Sequence, residues 1–387
     1  MRPNTIGLYL HIPFCAQKCA YCDFYSLSAA DSALMDEYLA ALLTHMKETA
    51  EFTGRKSGKN GGWAVDTVYI GGGTPSYFGV KRLRKLLAAV HSLWNLSTTV
   101  EITLEANPDS VDLKSLKKLR RAGVNRLSLG VQAIQPELLQ ALGRIHTAEQ
   151  AADAVRDAHK AGFDNISVDL MYGLPGQTAE MLHESLQAVL TWDIQHLSVY
   201  GLKLEPGTPL CEAKPELPDD EAQYAQYLAT VNFLAKQDFA QYEISNFAKG
   251  GRVSRHNLKY WQLEPYIGLG PAAHSDFGER RYGNVRDIRA YIDGVTKGGA
   301  VIAEMDVIDK FERSGEYVML GLRTTRGISG NDFTRMYKVS FDPLERKLER
   351  LAKYGLAELV GDRWRLTPQG FMVSNRILSE LLGTIIE

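Results

Sequence analysis

"VEITLEANPDSVDLKSLKKLRRAGVNRLSLGVQ", residues 100–132, contains one complete repeat of the fold. In "VEITLEA" (100–106), branched and polar residues alternate as in a strand. From Leu113 to Ala122, leucines return every third or fourth position among lysines and arginines, the period of a helix with one buried face. "RLSLGVQ" (126–132) alternates again. Strand, crossover helix, strand is the parallel βαβ unit.

The same rhythm runs to either side. "LYLHI" near 8–12, "VDTVYIG" near 65–71, "NISVDLMYG" near 165–173 and "HLSVYGL" near 196–202 read as strands, and 35–50, 80–93, 147–161 and 180–190 as helices. About six such units predict an α/β fold, a partial (β/α)6 TIM-like barrel, with a doubly wound sheet as the alternative. Polar residues favour the barrel. His11, Gly71 to Thr74, Glu105 with Asn107, Gln132, Asp169, and Tyr200 with Lys203 all fall at carboxyl ends of predicted strands, where β/α barrels build their sites. The stretch 53–62, "TGRKSGKNGG", reads as a polar flexible loop.

Past residue 205 the pattern changes to a Pro-rich connector, "EPGTPLCEAKPELPDD", a helix over 221–237, and an aromatic stretch through Trp261. From Val307, a helix, a turn, two short strands and a last helix predict a small winged-helix-like unit at the end of a C-terminal α+β extension. The expected domains are 1–205, a connector and ligand-binding region 206–305, and 306–387.

Composition narrows the function classes. A chain of 387 residues with net charge -2 gives no global electrostatic reason to bind nucleic acid. The basic runs Lys81 to Lys85 and Lys114 to Arg121 lie among leucines at helical spacing, as a solvated helix face does. "MRPNTIGLYLHIPF" lacks the apolar core of a signal peptide, and no apolar run reaches the roughly 20 residues of a membrane span. Cysteine usage agrees with a cytoplasmic protein, because three of the four cysteines crowd into "HIPFCAQKCAYCDFYS" (11–26) and do not form a spread disulfide set.

Cys15, Cys19 and Cys22 have the spacing C-x3-C-x2-C, and thiolates suit zinc or iron–sulfur clusters. A structural zinc site wants four protein ligands, and Cys211, in the connector, is far along the chain. Three thiols on one loop can instead hold three irons of a [4Fe–4S] cluster and leave the fourth open to an exogenous ligand. "GGGTPS" (71–76), without the Gly-Lys ending of a phosphate loop, offers close backbone approach and N–H donors.

These residues resemble the radical S-adenosylmethionine (SAM) superfamily. The resemblance implies SAM on the open iron and a 5′-deoxyadenosyl radical as the chemistry it supplies. It also implies cofactor contacts from Tyr9, Tyr21, Phe24, Gly72, Gly73, Thr74, Glu105, Gln132, Arg144 and Asp169.

"LYLHIPFC", "GGGTPS", "LEANPDS", "RLSLGVQ", "LGRIHT" and "DLMYGLPGQT" together resemble the oxygen-independent coproporphyrinogen III oxidase family over most of 8–210. In the oxidase the cluster motif continues C-x-C and a longer arm precedes it. Here Asp23 and Phe24 follow Cys22, and 14 residues precede Cys15. "HNLKYW" (256–261) instead resembles the HN-x2-YW hallmark of the paralogous HemW group, described as haem chaperones. That resemblance implies His256 as an iron ligand, with Asn257, Tyr260 and Trp261 beside the porphyrin, and haem-accepting apoproteins as partners. It carries no claim of catalysis. Membrane contact is expected to be peripheral at most, and two copies are candidates to pair. "YIGLGPAAHS", with His274, resembles the same group.

Overall fold

The computed structural model describes residues 4–53 and 62–386, so 54–61 of the expected polar loop lie outside the described residues. The six predicted strands form and pair in parallel in chain order: β1 Thr5–Ile12, β2 Ala64–Gly72, β3 Asn95–Ala106, β4 Arg126–Gln132, β5 Ile166–Tyr172 and β6 His196–Gly201. Between them run the predicted helices, at Ser32–Thr53, Val80–Leu93, Leu113–Arg121, Ala148–Lys160 and Ala179–Leu190. Side-chain caps fix several helix starts, among them Asp112 accepting from the Ser115 N–H and Thr147 from the Gln150 N–H.

Strand alternation sorts the residues by chemistry. On β4, Leu127, Leu129 and Val131 are fully buried beneath the helices, and on β5 so are Ile166, Val168 and Leu170. The opposite face of the same strands carries Arg126 and Ser128, then Ser167 and Asp169. Register brings Tyr9, Tyr69, Thr103 and Arg126 to one level across four neighbouring strands. The barrel therefore has an apolar outer core and a polar inside.

The sheet does not stop at six strands. β7 Ala240–Glu243, β8 Asn246–Ala248, β9 Tyr266–Leu269, β10 His274–Phe277, β11 Arg280–Asn284 and β12 Ile302–Val307 extend it to twelve, in the order β12-β11-β10-β9-β1-β2-β3-β4-β5-β6-β8-β7. The strands of the expected 206–305 region are built into both ends of the barrel sheet. The physical reason is the open barrel, which leaves the N–H and C=O groups of β1 and β6 unpaired at its edges. β9 covers one edge in parallel register and β8 the other in antiparallel.

From Lys310 the chain forms helices at 310–321, 330–337 and 342–353 around a three-stranded sheet of Ile328–Ser329, Arg363–Leu366 and Ala357–Val360, as a winged-helix unit does. It docks on the β7 end of the large sheet, where the Ile244 N–H donates to Arg323 O (2.9 Å) and the Thr325 N–H to Tyr242 O (3.1 Å). No described helix is long and apolar enough to cross a membrane.

Candidate functional site

A TIM barrel ordinarily fills its interior with branched aliphatic side chains. Here the inner face bears Glu105, Arg126, Ser128, Asp169 and Ser198, and a cavity of about 820 Å³ remains, within the 300–1,000 Å³ usual for small-molecule sites. Of the sequence-predicted residues, Tyr9, Cys15, Cys19, Tyr21, Cys22, Phe24, Gly72, Gly73, Thr74, Glu105, Gln132, Arg144, Asp169, Asn257, Tyr260 and Trp261 all line this one space. His256, Cys211 and His274 do not.

The cysteine loop leaves β1 through a short parallel pairing of Phe14–Cys15 with Leu27–Ser28. The Phe14 ring anchors it, stacked on Phe78 and edge-on to Tyr38. Thr74 Oγ1 donates to Cys15 Sγ (3.4 Å) and Arg144 Nη1 to Cys19 Sγ (3.4 Å). Burial pushes the Cys15 thiol upward and the Cys22 thiol up to about 11. Such thiols become thiolates when a cationic centre takes them, and donors already aimed at their sulfurs suit a cluster. Among the described residues no three His, Cys, Asp or Glu side chains gather tightly enough for a single metal ion. A cube takes each thiolate on a different iron and needs a wider spacing than one tetrahedral ion. The donor set fits a [4Fe–4S] cluster.

Beside it, Gly72 has φ +118°, and a Cβ there would stand 2.7 Å from the His11 ring. A Cβ on Gly73 would lie 2.8 Å from Phe14 O and 2.9 Å from Cys15 Sγ. Glycine lets this turn press against the cysteine loop. One expectation is corrected here: the N–H donors of the turn are spent inside the protein, Gly72 on Glu105 Oε2 (3.2 Å), Gly73 on Ile12 O (2.9 Å) and Thr74 on Phe14 O (2.7 Å). The strand register that seats the turn consumes them.

Glu105 also accepts from Tyr69 Oη (2.7 Å), yet burial raises its carboxyl to about 7. Burial likewise raises Asp169, which accepts from Ser128 Oγ (3.4 Å). Gln132 sits at φ +69°, a strained position for a non-glycine residue, at a register shift between β4 and β5. Arg144 binds Asn107 Oδ1 (2.9 Å) and the Gly130 carbonyl, tying Cys19 to the carboxyl ends of β3 and β4. Carboxylates and amides beside a thiol loop can hold a cationic ligand with an amino-acid end.

The helix Arg255–Trp261 presents Asn257, Tyr260 and Trp261 to the cavity from its far side. Glu101, midway along β3, accepts the N–H groups of Arg255 (3.2 Å) and His256 (3.1 Å) and so seats the helix start against the barrel. His256 lies behind the wall, fully buried, with Nδ1 on Thr67 Oγ1 (2.9 Å) and Nε2 on Tyr260 Oη (2.8 Å). Burial lowers its pKa to about 3, so the ring is neutral, and both nitrogens are engaged. Cys211 is half-buried, and His274 lies half-exposed on β10 beside Glu304 (3.8 Å).

Sequence reading missed Tyr69, Arg126, Ser128, Ser198, Glu243 and Asn246, all of which line the cavity. The signal was available as alternation: Arg126, Ser128, Gly130 and Gln132 share one face of "RLSLGVQ".

Comparison with known proteins places this geometry. Residues 9–189 match the Radical SAM superfamily and residues 308–373 the HemN C-terminal domain. The solved coproporphyrinogen III oxidase (HemN) of Escherichia coli superposes with a TM-score of 0.85 over 98% of this chain and 90% of that chain, at 22% identity, a likeness of fold. The chain is thus a radical SAM protein with a HemN-type C-terminal domain. It is 38% identical to the haem chaperone HemW of Bacillus subtilis over 97% of this chain and 99% of that relative. It is 33% identical to the haem chaperone HemW of Escherichia coli over 98% of each. The chain belongs to the HemW family.

Proposed function

We propose that the protein is a haem chaperone. It holds a [4Fe–4S] cluster on Cys15, Cys19 and Cys22, binds SAM at the open iron, binds haem and passes it to acceptor apoproteins. One observation carries this reading: the three thiols and the HN-x2-YW residues Asn257, Tyr260 and Trp261 face the same cavity. When bound, cluster and SAM together supply one-electron chemistry. Glu105, Asp169, Gln132 and Arg144 line the place where the cofactor's charged groups would lie, and Tyr260 and Trp261 offer aromatic faces to a flat ring. Absorption spectra of anaerobically reconstituted protein, with and without haem and an apo-acceptor, test the whole reading. Conversion of coproporphyrinogen to protoporphyrinogen under reducing conditions would favour the alternative, a radical decarboxylase.

The remaining assignments are a cytoplasmic location, membrane contact at most peripheral, self-pairing, and no nucleic-acid partner. The last is supported by the basic helices, whose Leu83, Leu86, Leu116 and Leu119 point into the core and leave the cations as solvated faces.

Two predictions arise here. Glu105 titrates near 7, above the ordinary 4.5, so the folded protein keeps a proton that the unfolded chain releases. The stability this contributes is complete below about 4.5 and declines as pH rises towards 7. SAM, a cation, favours the ionised carboxylate. Its affinity is expected to rise up to ~10-fold per pH unit below about 7 and then level off, and Glu105→Gln to flatten the profile. Equilibrium binding of SAM across pH 5–8 measures this.

The second prediction concerns His256. Ligation of haem iron requires its Nε2 to exchange Tyr260 Oη for the metal. If that exchange occurs, His256→Ala shifts the haem spectrum and Tyr260→Phe tightens binding by about tenfold, one hydrogen bond's worth. Unchanged spectra in His256→Ala would make the histidine a support of the helix and not a ligand.

A further inference from the structure

Arg126 is the first residue of β4 and is 1% exposed, yet its guanidinium lines the cavity. Its Nε has no hydrogen-bond partner, and among the described residues no ion pair or hydrogen bond reaches the group. A buried guanidinium without acceptors is costly unless something completes it. Two carboxylates act on it through space, and their oxygens are engaged elsewhere. Glu105 accepts from Tyr69 Oη and the Gly72 N–H, and Asp169 from Ser128. Glu243, the other carboxylate lining the cavity nearby, accepts from the Ser245 N–H (3.0 Å) and from Asn246. None of these carboxyl groups accepts a hydrogen bond from Arg126, whose donors stay free.

Position says what completes it. Arg126 and Gln132 stand at opposite ends of β4, six residues apart, which at ~3.3 Å per residue is about 20 Å. Gln132 belongs to the cysteine-loop rim and Arg126 to the opposite floor. A guanidinium fork matches a carboxylate in bidentate geometry.

We propose that Arg126 anchors a ligand carboxylate at the floor of the cavity. Resting on the haem-chaperone reading, the favoured source is a propionate arm of the porphyrin, because Arg126 is rooted at the end of β4 opposite Gln132 and the cysteine loop. The amino-acid carboxylate of SAM shares the chemistry and is the other source.

The test titrates reconstituted holoprotein, wild type and Arg126→Met, with haem, with haem dimethyl ester and with SAM. Circular dichroism and iron content check the fold, and Arg126→Lys stands in should the methionine variant not fold. In wild type the ester is expected to bind at least ~10-fold more weakly than haem, and in Arg126→Met haem itself should fall to the ester's level, the size of a lost charged hydrogen bond. Arg126→Lys, which keeps charge without the fork, should fall between the two. A loss confined to SAM would keep the anchor and assign it to the cofactor. Full affinity of the variant for both haem and SAM, or undiminished discrimination against the ester, overturns the proposal. If wild type binds neither haem nor its ester, the chaperone reading fails, and the SAM titration alone decides the anchor.

Discussion

Cys15→Ala protein, purified without oxygen, is expected to be colourless and to contain almost no iron or acid-labile sulfide, while its fold survives. Changing a group that only supports a metal ligand costs roughly 10–100-fold in metal affinity, and removing one of three ligands costs more. Cys15 is the most buried of the three, and Thr74 Oγ1 already donates to its sulfur. Without that sulfur the hydroxyl loses its acceptor and the cluster loses the corner nearest β1. The fold is expected to persist because the core lies on the other side of the strands, in Ile6, Leu8, Leu10 and Ile12. Iron and sulfide analysis with far-UV circular dichroism separates the two effects. Retained cubane absorption in this variant would refute the assignment of the loop.

Gly73→Ala is expected to have the second largest effect, a loss of about 1–3 kcal/mol in stability together with faster cluster release. The added methyl group would meet the Phe14 carbonyl at 2.8 Å and Cys15 Sγ at 2.9 Å. Neither can yield cheaply. The carbonyl is backbone that accepts the Thr74 N–H at 2.7 Å, and the Phe14 ring is clamped between Phe78 and Tyr38. Chemical denaturation of the apoprotein measures the first effect, and the rate of iron loss to a chelator the second. A variant as stable and retentive as wild type would mean that the turn does not press on the cysteine loop.

Local pattern carried much of this protein. Alternation in "VEITLEA" and "RLSLGVQ" located β3 and β4, and the leucine period over 113–122 located the helix between them. Period, caps and turn residues are short-range properties, so they can be read along the chain. The cysteine spacing and the glycine turn were legible for the same reason, since each is one contiguous segment doing one job.

Three features were decided only in three dimensions. The strands of 240–307 are three to six residues long and weakly patterned, and β9, which pairs with β1, lies 259 residues from its partner in sequence (Gly7 to Tyr266). Only the unpaired edges of an open barrel explain where they go. His256 sits in a motif whose sequence promises a metal ligand, yet packing buries the ring fully, out of the cavity lining, and closes both nitrogens on Thr67 and Tyr260. Arg126 reads as an ordinary cation at the start of a strand until the register turns it inward, beside Thr103 and below Asp169, where no acceptor meets it. The sequence by itself determined which segments are strands, which are helices and which loop offers thiols, because those follow from neighbours in the chain. Which face of each strand turns towards the barrel axis, and so which polar groups meet in one cavity, was decided by the curvature of the whole sheet, a property no single segment possesses.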